Sequence, residues 1–177
     1  MLSIPDVGQL DAFVEPWRRL YAQSPLLSTL TLFGHLGGLF AAGGLTVAAD
    51  RATLRLDASD EHGRRRHLAD LAQLQTPTWI AFVVATLSGA MLFLADVEAF
   101  AASRIFWTKM ALVALLVTNA VLTARLDAVL RHDAAANGAG VAEGVRARRW
   151  RRRRAAAAAS AALWFGVVLV GAALASH

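Results

Sequence analysis

The chain has no cysteine, which excludes disulfides, thiolate metal sites and cysteine nucleophiles. It has one lysine, Lys109, against seventeen arginines. Charge of either sign is scarce: 18% of the 177 residues are charged, 56% are hydrophobic, and the mean hydropathy is +0.46. A soluble domain of this length interleaves charge with apolar residues at a period of 2 or 3.6. Here the charges gather into a few stretches divided by long uncharged runs, the pattern of a polytopic membrane protein. Strand-length alternation is also missing. A bilayer leaves only helices or closed barrels, so the expected class is all-α. No HExxH, no Walker A, no serine triad and no carboxylate pair with a histidine is present. The opening MLSIPDVGQLDAF lacks the basic and apolar regions of a signal peptide, so the first span is expected to act as its own insertion signal.

A crossing helix needs about 20 mostly apolar residues. Four segments meet that requirement: 26–49, 78–95, 104–124 and 155–176. Thr76 and Pro77 are the expected N-cap and first position of the second span, and Ser103 caps the third. The expected architecture is one domain, 1–177, an integral membrane four-helix bundle with long loops at 50–77 and 125–154.

Arginine placement orients the bundle. Five arginines fall in the first long loop (Arg51, Arg55, Arg64, Arg65, Arg66). Nine fall in the second: Arg125, Arg131, Arg146, Arg148, Arg149, Arg151, Arg152, Arg153 and Arg154. Only Arg18, Arg19 and Arg104 lie on the other side. The positive-inside rule puts both loops in the cytoplasm and both termini outside, in a bacterial inner membrane. The pI near 11.2 therefore reports topology, and no nucleic-acid partner is expected. RARRWRRRR, residues 146–154, reads as an anchor for span four, with Trp150 at the interface and anionic lipid against the arginines.

Two flanking stretches carry amphipathic patterns. QLDAFVEPWRRLY, residues 9–21, sets Leu10, Phe13, Val14, Trp17 and Tyr21 at helical spacing, as in a short helix lying on the outer surface. HLADLAQLQ sets Leu68, Leu71 and Leu74 three apart, a face for the bundle or the inner headgroups. NGAG, residues 137–140, breaks the second loop.

Ionisable groups inside a membrane are expensive, so each is a site hypothesis. His35 sits in LFGHLGGLFAAGG, nine residues past Leu26 and about 13 Å below the outer end, near the midplane. Gly34, Gly38 and Ala42 recur every four residues around it, making a small-residue face for a neighbouring helix or a flat cofactor. Lys109 lies about one and a half turns into span three, within reach of Asp96 or of the outer interface. Asn119 is placed to hydrogen-bond another helix. His62, His67, His132 and His177 are isolated and read as solvated.

These features resemble a group of four-helix bacterial membrane proteins. The shared features are an amphipathic N-terminal segment, H-x-x-G in the first span, an Asp50-Arg51 step at its inner end, TLSGAMLF in the second, and FWTKMALV running on to an asparagine in the third. That group is related to the CopD copper-resistance membrane domain and to HemJ-like protoporphyrinogen oxidases. The resemblance covers residues 10–173. It implies a histidine of an early span and a lysine of a later one as a functional pair, here His35 and Lys109, with b-type haem or porphyrin. Gly34 and Gly38 would border that group. The Pro-Arg step of HemJ-like chains is missing, methionine is sparse, and no second histidine lies in a span.

Two functions follow. In the first, His35 ligates a b-type haem for redox or electron-transfer work. In the second, the chain is a cofactor-free accessory or scaffold subunit, a homo-oligomer or part of a larger complex. There His35 bonds Thr118, Asn119 or a backbone carbonyl. Copper handling is a weaker third.

Overall fold

The computed structural model describes residues 7–57, 60–135 and 142–175. The expected break at 137–140, the last residue of span four at 176, and His177 lie outside them. The described residues form six helices and no strand: α1 (Val7–Gln23), α2 (Pro25–Arg55), α3 (Glu61–Ala95), α4 (Val97–Ala102), α5 (Arg104–Ala135) and α6 (Glu143–Ala175). The four long ones are long and apolar enough to cross a membrane. The protein is a helical membrane bundle.

Local chemistry sets the helix starts. Ser24 caps α2, its hydroxyl accepting from the Leu27 amide at 3.3 Å, and Pro25 follows at the first position. Asp60 caps α3 through the Gly63 amide at 2.8 Å. Ser103 caps α5 through the Phe106 amide at 3.3 Å, as its position in the sequence suggests.

The helices run on through most of the segments expected as loops. α3 has 35 residues and spans about 52 Å, against a hydrocarbon core of about 30 Å. Its first half therefore projects beyond the apolar layer. Pro77 lies inside α3 rather than at its start. A proline there withdraws one amide from the ladder, and the Thr78 hydroxyl next to it donates to the Leu74 carbonyl at 2.7 Å. Leu68 and Leu71 of the projecting half are buried against Leu130 and Trp150, and that packing keeps the segment helical. Trp150 is only 3% exposed, so it belongs to this inner cluster instead of anchoring at an interface.

α2 packs on α3 and α6, α6 packs on α5, and α3 and α5 touch only slightly. The bundle is thus a ring with one loose seam. Its central core joins Ala42, Leu116, Trp164 and Val167, with Phe82 and Leu39 against them. Phe33, Phe40, Phe165 and Leu169 face outward, as suits lipid-facing positions. α1 lies along α2 and α3, with Val14 buried and the Trp17 indole donating to the Met91 carbonyl at 3.0 Å. Leu10 and Phe13 of its expected apolar face lie outside the described side chains.

Candidate functional site

Sequence spacing nominated four residues, and the fold divides them into two pairs. His35 and Lys109 line one cavity of about 360 Å³, together with Met110 and the rings of Phe93, Phe100 and Phe106. Small-molecule sites occupy roughly 300–1,000 Å³. Gly34 and Gly38 face α3 instead. A Cβ on Gly38 would stand 2.7 Å from the Ala85 nitrogen and 2.8 Å from the Ala81 oxygen. The small-residue face is therefore filled by α3, and of α2 it is His35 and Leu39 that line the cavity.

His35 is held in a defined tautomer. Its Nδ1 lies 2.9 Å from the Ala85 carbonyl oxygen, an acceptor, so Nδ1 carries the proton and donates. Nε2 then bears the lone pair. An imidazole whose first nitrogen is pinned by a backbone carbonyl is the usual arrangement for a metal-ligating histidine. It is also the arrangement of a buried histidine that is simply satisfied. Neither Thr118 nor Asn119 takes part: Thr118 bonds the Ala114 carbonyl of its own helix, and Asn119 bonds the Ala156 carbonyl of α6 at 3.1 Å. That last bond is the interhelical contact expected of Asn119.

Gly89 makes room for the ring. A Cβ there would sit 2.9 Å from His35 Cε1 and 3.0 Å from Nδ1. Gly89 carries as much of the site's geometry as the histidine, yet TLSGAMLF shows only a small residue in an apolar run. Gly89→Val is expected to push the imidazole off the Ala85 carbonyl, a loss of about 1 kcal/mol or more in unfolding experiments.

Lys109 does not pair with Asp96. Among the described residues it forms no ion pair, and its amine lies near Gly171 of α6. Asp96 is taken by the backbone: it caps α4, accepting from the Ala99 amide at 3.2 Å. The turn through α4 that makes this cap also carries Phe100 over Phe93 and Phe106. The Phe93 and Phe106 rings stack at 5.2 Å and 11°, and this cluster walls one end of the cavity. The sequence spreads the three rings over fourteen positions, so only the α4 turn brings them together.

No family model, curated protein or solved structure matches the chain. Its chemistry is therefore read from its own residues. Among those described, no cluster of three or more His, Cys, Asp or Glu side chains could hold a metal ion.

A second polar centre lies at the arginine-rich end. Arg153, 2% exposed, donates through Nε to Asp127 at 2.7 Å and through Nη1 to Asp50 at 3.5 Å. It thus ties α6 to α5 and α2. Arg149 pairs with Asp133, and Arg154 donates to the Leu54 carbonyl at 2.9 Å. Three arginines of the run expected to meet lipid are thus engaged inside the bundle, while Arg148, Arg151 and Arg152 are exposed. The sequence did hold a signal for this. In an antiparallel hairpin, aspartates 127 and 133 face arginines that descend from 153 to 149.

His67 belongs to the same end. The Thr53 hydroxyl gives its single proton to the Ala49 carbonyl at 3.0 Å, so it accepts from His67 Nε2 at 2.8 Å. A residue expected to be solvated instead bridges α2 and α3. Thr53→Val keeps the shape, removes the acceptor and is expected to lower stability by about 1 kcal/mol in chemical unfolding.

Proposed function

We propose that the bundle binds a b-type haem or related porphyrin beside His35 and serves redox or electron-transfer work in a bacterial inner membrane. The observation that carries this reading is one apolar cavity holding both a fixed imidazole and an amine that has no ion-pair partner among the described residues. His35 would supply Nε2 to the iron, and Lys109 would meet a carboxylate of the macrocycle. The bound group would supply one-electron chemistry. The chain's own part is to fix the imidazole, exclude water with apolar walls and neutralise one negative charge.

The arginine distribution supports cytoplasmic placement of the Arg153 end, with both termini outside. On that reading the exposed Arg148, Arg151 and Arg152 contact anionic headgroups, and α1 rests at the outer interface. The resemblance to CopD-like and HemJ-like proteins agrees with this reading. Copper handling has less support, since Met110 is the one sulfur donor in the cavity.

The second reading, a cofactor-free accessory or scaffold subunit, rests on the Nδ1 bond to Ala85, which satisfies His35 without any ligand. The visible spectrum separates the two. Protein purified after expression with supplied haem is expected to show a Soret band that shifts with dithionite. His35→Ala should abolish the band, and Lys109→Gln should keep it with weaker retention of haem. A colourless wild-type protein, destabilised by His35→Ala all the same, would establish the scaffold reading instead.

A further inference from the structure

Lys109 is the one ammonium in the His35 cavity, and among the described residues no carboxylate lines it. The other polar groups there are already served: the Thr86 hydroxyl donates to the Phe82 carbonyl at 2.8 Å, and His35 Nδ1 to Ala85. The amine makes no hydrogen bond or ion pair among the described residues. Nor is it sealed off, as Asp50 Oδ2 is. An uncompensated charge in an apolar surround is costly. Its natural complement is an anion that arrives with an apolar body of its own.

The walls narrow the identity of that body. Beyond Lys109, α5 lines the cavity with Met110, Val113 and Leu116, an apolar wall about 10 Å long. Phe93, Phe100 and Phe106 close the end nearer the amine, and Phe82, Leu116 and Trp164 close the other. The cavity is thus a slot along the helices, with its charge toward the α4 end. Thr86, Ala90 and Met110 line it and are also exposed, so its side opens through the slight α3–α5 contact toward lipid. About 360 Å³ is near the lower end for a small-molecule site, which suits one acyl chain and not two.

We propose that this slot binds a lipophilic monocarboxylate, a single-chain fatty acid whose carboxylate meets Lys109. Its chain lies along Val113 toward Trp164, and the loose seam admits it from the bilayer. The inference goes beyond the haem reading, since it takes the amine and not the imidazole as the recognising group. It holds whether or not haem binds, and where haem is present the two compete for one cavity.

The test uses the full chain, expressed without supplied haem, in phosphatidylcholine nanodiscs. Decanoate carrying carbon-13 at its carboxyl is the probe, and decanol labelled at the same carbon is its uncharged match. Both enter the lipid, so carbon NMR reads binding as a saturable, protein-dependent signal above empty discs. Decanoate is expected to bind roughly tenfold tighter than decanol, the usual scale for a hydrogen bond to a charged group. Lys109→Gln should erase most of that preference, and His35→Ala should leave it. Val113→Phe, which fills the slot beyond the amine, should abolish saturable binding of both probes with helical circular dichroism unchanged. Replacing part of the lipid with phosphatidylglycerol should leave decanoate binding nearly unchanged. Equal affinity of acid and alcohol, or a preference that survives Lys109→Gln or needs His35, would overturn the proposal. So would binding that survives Val113→Phe, strong competition from phosphatidylglycerol, or no saturable signal at all, which would give the slot to acyl chains. The haem reading stands or falls on the Soret band, so the two fail separately.

Discussion

Arg153→Ala is expected to cost the fold about 3–5 kcal/mol, the largest loss for any single charge removal in this chain. The cause is what it leaves behind. Asp50 and Asp127 side chains are 5% and 10% exposed, and Arg153 is the cation bridging them. Taking the guanidinium away strands two carboxylates in a poorly solvated junction of three helices. Arg153→Lys should recover only part, since an ammonium cannot offer the flat fork that reaches both acids. The triple substitution Arg153→Met, Asp50→Leu, Asp127→Leu should return close to wild-type stability, because a buried ion cluster replaced as a unit by apolar side chains of similar volume is often neutral. Unfolding by a denaturing detergent, followed by helical circular dichroism, would measure all three. A single Arg153→Ala variant as stable as wild type would show that the junction is open to water.

Gly38→Leu is expected to separate α2 from α3. Even an alanine there would place its Cβ 2.7 and 2.8 Å from backbone atoms of Ala85 and Ala81, which have no rotamer in which to retreat. Overpacking of this kind costs roughly 1–3 kcal/mol for a small addition and more for a large one. The displaced strip includes the Ala85 carbonyl that holds His35, so the cavity geometry should suffer with the fold. Gly37→Ala is the matched control. Nothing lies within 4 Å of a Cβ at that position, and its effect should stay within about 0.5 kcal/mol. Thermal unfolding of the three proteins in one detergent would compare them. Equal midpoints for Gly38→Leu and Gly37→Ala would mean that the helices do not meet at Gly38.

Hydropathy and capping residues were enough to find the four apolar helices, the Ser103 cap and the Asn119 contact. These depend on local composition and on neighbours within a turn or two. Helix extent was not legible from the same signal. Hydropathy marks where lipid ends, whereas the helix continues as long as something buries its next face, as Leu130 and Trp150 do for Leu68 and Leu71. The arginine run was legible only in part for a related reason. A charge count weighs each guanidinium against lipid and water, but Arg153 is satisfied by partners 26 and 103 residues away. The His35–Lys109 cavity was half legible. Their types and depth marked both residues, while Gly89, the Ala85 carbonyl and the Phe93–Phe100–Phe106 wall exist only once the helices have packed.

The slight contact between α3 and α5 also changes which concentration matters for anything bound in that seam. A lipophilic molecule would reach it by lateral diffusion within the leaflet, so occupancy would follow its mole fraction among lipids rather than its aqueous level. A weak site could then be well filled by a compound nearly undetectable in water, and the membrane's own composition would act as competitor.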